Sequence, residues 1–169
     1  MQRVSQAFRG ALVEAVPKVR RFAYALSGSP ADADDLLQAT LERALAKAHL
    51  FEAGTRLESW LFRLCRNIWI DEMRARRTRG VAVEIDNETG PSLDGERATM
   101  SRLTLAEVQA AMRQLSEDHR AILALVGVEG LSYREAAAVL GLPIGTVMSR
   151  LARARAQLLA RLGPQETTS

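Results

Sequence analysis

Apolar residues recur at three- and four-residue intervals along most of this 169-residue chain, and alternating apolar and polar runs are almost absent. Such spacing aligns side chains on one face of a helix and cannot line one face of a pleated strand, so an all-α fold is expected. In the segment Pro30 to Ala48, residues Ala33, Leu36, Leu37, Thr40, Leu41, Ala44, Leu45 and Ala48 make one apolar stripe. Its start is well marked. Ser29 is a strong N-cap, Pro30 suits the first helical position, and Asp32, Asp34 and Asp35 lie where the helix dipole favours negative charge. Thr55 and Glu58 have capping-box spacing, which predicts a helix through Trp60, Leu61, Leu64, Cys65, Ile68 and Met73 that Gly80 closes. Phe8 to Leu26 reads as one helix or two, because Pro17 ends or kinks a continuous one.

From Val81 to Leu103 the periodicity fails. The stretch is acidic, poor in large apolar residues and punctuated by Gly90, Pro91 and Gly95, which is linker composition. The expected organisation is therefore a helical domain over 1–80, a flexible acidic linker over 81–103 and a second helical domain over 104–163. Each domain is short, so each is expected to have a small core and little stability of its own. In the second, Thr104 with Glu107 caps one helix and Ser116 caps the next, which runs to Gly130. Ser132 with Glu135 then opens a short helix that Gly141 ends, and a longer one follows through Arg155. This is the pattern of a helix-turn-helix. Ala136, Ala137, Val139, Leu140, Leu142, Val147, Leu151 and Leu158 are its expected core.

Charge points to the partner. Between Glu135 and Glu166 there is no acidic residue, so the polar side of the second helix carries only positive charge, as a helix lying in a DNA major groove would. Net charge is only +3, so basic character must act locally. Arg74, Arg76, Arg77 and Arg79 crowd into six residues with no Lys among them, too close to share one face. They form a collar suited to phosphates, whose oxygens match the guanidinium fork. Other functions find little support. A lone Cys65 has no disulfide partner, His49 and His119 give no metal-ligand spacing, and no phosphate-cradling Gly loop or catalytic constellation is readable. Neither a signal peptide nor a membrane span is readable, so a cytoplasmic protein without cofactor or metal is expected.

Three blocks together carry a family resemblance: Asp32 to Leu41, Trp60 to Trp69, and the helix-turn-helix. In this order and spacing they resemble an extracytoplasmic-function (group IV) sigma factor, over nearly the whole chain. Gly54 to Leu61 and Gly145 to Arg150 are also similar to the alphaproteobacterial general-stress-response members. The resemblance implies a promoter-specificity subunit of RNA polymerase, with no active site of its own. Its first domain (sigma region 2) would bind the clamp helices of the largest subunit and read and melt the −10 element. Its second (sigma region 4) would bind the flap and read the −35 element. An anti-sigma factor is an implied partner.

Residue by residue, the resemblance places Asp34, Asp35 and Gln38 on the core-polymerase face, although acids in a first turn also serve the helix dipole. Arg63, Arg66 and Asn67, with Arg74, Arg76, Arg77 and Arg79, are expected at −10 DNA, Asn67 near a flipped base because an amide both donates and accepts. Trp60 lies in the apolar stripe and is expected in the core; Trp69 is left open between core and base stacking. At −35 DNA the expected residues are Gly145, Thr146, Ser149, Arg150, Arg153 and Arg155, with Arg150 as the guanine reader. Met148 stands where family members often carry Lys, which costs a phosphate contact or adds an apolar touch on a thymine methyl. Two rivals are a sigma-like decoy that captures an anti-sigma factor and a ligand-binding repressor. The first needs no DNA-contacting charge, and nothing in residues 1–80 suggests a pocket for the second. On the sigma reading, Arg150→Ala costs about 1–3 kcal/mol and relaxes −35 specificity, whereas Arg77→Ala weakens binding evenly across sequences. A panel of promoter variants with reconstituted holoenzyme separates the two, and equal loss on every −35 variant refutes Arg150 as a base reader.

Overall fold

A computed structural model describes residues 3–80 and 104–163, and every regular element among them is helical. The expected linker, 81–103, lies outside the described residues. The first unit is a bundle of three helices: α1 (Gln6–Ser27), α2 (Pro30–Ala46) and α3 (Leu57–Thr78), with a short 3-10 turn at Ala48–Leu50. Helix α1 is continuous through Pro17, which resolves the alternative left open by the sequence. Both Pro17 and Val13 face outward, so the carbonyl that loses its helical donor to proline is on the solvent side, where the loss costs least. Gly28, at φ +70°, ends α1 in the left-handed region that side chains avoid. Ser29 then caps α2, accepting from the Asp32 N–H at 3.4 Å.

The start of α3 differs from expectation. Thr55 does not cap it: its hydroxyl donates to the Glu52 carbonyl at 2.8 Å within the preceding turn, and α3 begins at Leu57 without a side-chain cap. Glu58 is drawn instead toward Lys18 of α1 at 3.5 Å. Contact with its own backbone N–H is the main reason its carboxyl sits below the usual range, with burial opposing and Lys18 assisting. The bundle is filled by Leu12, Val19, Phe22, Leu26, Leu36, Leu61 and Phe62, with Phe22 and Phe62 edge to face at 5.2 Å. Cys65 is fully buried there, and desolvation pushes its thiol up to about 12 despite the Thr40 hydroxyl, so it stays protonated and unreactive.

The second unit comprises α4 (Leu105–Arg113), α5 (Glu117–Ile122), a π-helical turn (Leu123–Val128), α6 (Tyr133–Leu140) and α7 (Ile144–Leu162). Both expected capping boxes form, Thr104 with Glu107 and Ser132 with Glu135, and Ser116 caps α5. Gly141, at φ +65°, makes the turn between α6 and α7. All eight expected core residues are buried or packed against the core. His119 joins them, its Nδ1 2.9 Å from the Gln157 amide oxygen.

The cores are not separate. Helix α1 packs on α5 and the π turn, α3 packs on α6, and the buried residues of both units form one continuous cluster. Polar contacts clamp the same junction. The Arg120 guanidinium on α5 donates to the carbonyls of Ala25 at 2.6 Å and Leu26 at 3.0 Å, in the last turn of α1, and to that of Leu115. Arg21 meets Glu129 with two parallel bonds, 2.9 and 3.1 Å, and the Glu129 side chain is only 3% exposed. Arg56 reaches Glu135 at 3.2 Å. Glu117 opens α5 beside Trp69. Burial raises its pKa; the Trp69 indole pulls the other way, although its nitrogen is outside hydrogen-bonding geometry with any acceptor among the described residues.

Two outcomes follow from this junction. Arg120→Met keeps the apolar stem but strands two helix-end carbonyls, and is expected to cost on the order of 2–3 kcal/mol in denaturant unfolding; unchanged stability would remove Arg120 from this role. A carboxyl with a raised folded pKa is penalised when charged, so Glu117→Gln should raise the melting temperature at neutral pH. That gain should be full above the folded pKa of Glu117 and vanish as pH falls to the ordinary carboxylate range. Melting curves from pH 4 to 8 test it, and a loss at pH 7 contradicts it.

Candidate nucleic-acid interface

Helix α7 is amphipathic because Val147, Leu151 and Ala154 turn into the core, where they hold it against α5 and α6. This leaves two outward rows at four-residue spacing. One is Gly145, Ser149 and Arg153; the other is Ile144, Met148 and Ala152. Arg155 is exposed farther along. The Ser149 hydroxyl donates back to the Thr146 carbonyl at 3.1 Å, and Thr146 is half-buried. Arg150 lies off this face. Its side chain is 18% exposed and turns to α5, where Nη1 is 3.5 Å from the Asp118 carboxylate.

The collar on α3 is divided. Arg76 turns back along the helix to Glu72 at 3.3 Å and Asp32 at 3.6 Å, and its guanidinium lies 5.8 Å from the centre of the Trp69 ring. Arg79 reaches the same Glu72 at 3.7 Å. Arg63, Asn67, Arg74 and Arg77 are exposed, and their spacing of four, seven and three residues sets them along one face. The grouping legible as a ring in the sequence is thus a basic stripe plus two arginines held by acids. Trp69 is buried in this arrangement, beside Glu117 of α5, and Trp60 packs with Phe8 and Phe51 in an aromatic trio. Arg63 and Trp60 also border a groove of about 400 Å³ whose other wall is Ala138 and Val139 of α6.

Arg66 leaves the stripe. It is half-buried at the junction, where desolvation lowers its pKa and the nearby Asp118 and Glu117 oppose that shift, while Arg150 adds to it. Asp118 of α5 is thus paired with Arg150 of α7, and the half-buried Arg66 of α3 lies near the same acidic turn. Sequence reasoning passed over Glu117, Asp118 and Arg120; the first two look like ordinary first-turn acids. On α2, Asp34, Asp35 and Gln38 are exposed as expected. Asp34 pairs with Arg20 at 3.0 Å, and the Gln38 amide donates to Glu42 at 3.2 Å. Among the described residues no helix is long and apolar enough to cross a membrane, and no three His, Cys, Asp or Glu side chains are grouped to hold a metal.

Comparison with known proteins matches both units. Residues 105–158 fit the family described as Sigma-70, region 4, and residues 12–66 fit the Sigma2 domain of PhyR. The chain is 38% identical to the ECF RNA polymerase sigma factor EcfG of Rhodopseudomonas palustris, over 97% of its own length and 94% of that protein. Its structure is similar to that of the sigma factor RpoE of Bartonella quintana in complex with the anti-sigma factor NepR, with a TM-score of 0.76, 37% identity and coverage of 94% and 98% of the two chains. It is also similar to CnrH in complex with the cytosolic domain of CnrY, with a TM-score of 0.66, 28% identity and coverage of 93% and 88%. With both units matched in one chain and a sigma factor aligned almost end to end, the chain belongs to the ECF RNA polymerase sigma factors.

Proposed function

We propose that this protein binds core RNA polymerase in the cytoplasm and directs it to the promoters of a stress regulon, with no catalytic chemistry of its own. The observation that carries the reading is the end-to-end match to EcfG, which spans both helical units rather than the helix-turn-helix alone. Residues 1–80 are the region 2 domain and 104–163 the region 4 domain, with the acidic stretch 81–103, outside the described residues, between them in sequence. Asp34, Asp35 and Gln38 form the core-polymerase contact. Arg63, Asn67, Arg74 and Arg77 face −10 DNA directly; Arg76 and Arg79 join them once released from Asp32 and Glu72, and Arg66 once the junction opens. Gly145, Thr146, Ser149, Arg153 and Arg155 address the −35 element, with Arg150.

Arg150 is paired with Asp118 and Arg66 is half-buried at the junction, so the packed arrangement draws one arginine back from each DNA surface. Supporting the view that this is the sequestered form, the RpoE chain it resembles is bound to an anti-sigma factor. An anti-sigma partner is accordingly part of the reading. The match of residues 12–66 to the PhyR domain favours one alternative, a decoy that captures an anti-sigma factor. Against it stand the outward arginine stripe of α3 and the acid-free α7, which a decoy does not need.

Run-off transcription distinguishes them. Core polymerase supplied with this protein, free of inhibitor, should start transcripts at a discrete set of genomic promoters that core alone ignores. A protein that bound an anti-sigma factor yet started none would be the decoy.

A further inference from the structure

Two large apolar side chains on α7 stand in solvent with no structural task. Ile144 is 47% and Met148 is 52% exposed, four residues apart on the first two turns of the helix. The core side of α7 is already filled by Val147, Leu151 and Ala154, so neither is needed to hold the helix in place. They flank the Gly145, Ser149 and Arg153 row, on a helix that carries no acidic residue. These are the turns of a helix-turn-helix that face base edges. In a major groove the apolar group displayed by a base pair is the C5 methyl of thymine. A thioether chain suits it, being unbranched and polarizable and able to settle against a methyl without fixed geometry.

Resting on the −35 assignment above, we infer that Met148, with Ile144 beside it, is a specificity-determining contact that reads thymine methyl groups in the −35 element. Ser149 and Arg153 supply the adjoining polar contacts. The prediction for sequence is concrete: the element contains at least one A·T pair whose thymine, on either strand, is discriminated through its methyl rather than through hydrogen bonds.

Replacing thymine by deoxyuridine removes that methyl and nothing else. Holoenzyme reconstituted from core polymerase and the full chain is assayed for open-complex formation on a promoter it uses, with each −35 thymine replaced in turn. One burial of a methyl corresponds to about a fourfold effect. Wild type should lose about fourfold at one or two positions. Met148→Ala should lose a similar factor on the thymine template and show no further loss with deoxyuridine, while Met148→Leu should keep the sensitivity. Full activity of wild-type holoenzyme on every deoxyuridine template overturns the inference and leaves the sigma reading standing, as expected if the pair serves a protein partner. Sensitivity retained undiminished in both Met148→Ala and Ile144→Ala overturns it too, by assigning the methyl to another group. A −35 element without A·T pairs has the same force. Failure of wild-type holoenzyme to engage any promoter removes the underlying reading as well.

Discussion

A guanidinium seated on the end of a helix organises the whole molecule. The last carbonyls of α1 have no helical donors, and the negative end of the helix dipole gathers on them. Arg120 satisfies two of these groups from the other unit, and a third bond to Leu115 fixes its own approach. Its planar fork can make these contacts together, which a lysine ammonium on a flexible stem cannot match. With α1 held in this way, the π turn lies close enough for Arg21 to neutralise the nearly buried Glu129, and α3 comes against α6. Apolar burial supplies the adhesion; the arginines supply the register.

The distribution of positive charge follows from that register. At the junction Arg21, Arg56 and Arg150 are matched to acids and Arg120 to helix-end carbonyls, whereas Arg63, Arg74 and Arg77 on α3 and Arg153 and Arg155 on α7 are exposed. A folded protein with basic residues on two outer surfaces and acid-paired arginines between them presents only part of its affinity for a polyanion. Salt acts unequally on the two sets, since exposed charges are screened far more than those partly withdrawn from water.

What the sequence disclosed was local. Ser29, Ser116, Thr104 with Glu107 and Ser132 with Glu135 cap helices as read, because each cap involves residues three apart and its spacing is its signature. Thr55 misled for an equally local reason: its hydroxyl found the Glu52 carbonyl first, and hydroxyl-bearing residues serve turns as readily as caps. The junction was illegible. Arg120 and Ala25 are 95 residues apart and Arg21 and Glu129 are 108 apart, and no periodicity records a pairing of that range. For the same reason the division of the α3 arginines was hidden. Asp32, which draws Arg76 inward, belongs to a different helix, and from spacing alone it was an acid at a helix start. On the recognition helix, the row of Gly145, Ser149 and Arg153 was readable, but the direction of Arg150 depends on Asp118.

Glu135 holds two posts at once. Within its own helix its carboxylate accepts from the Ser132 N–H at 2.9 Å, and across the junction it accepts from Arg56. The backbone contact is the larger cause of its lowered pKa, ahead of the arginine. Parting the two units would therefore take away the lesser interaction and leave α6 properly begun. The cap of α6 is thus internal to its own unit and does not depend on the contact with Arg56.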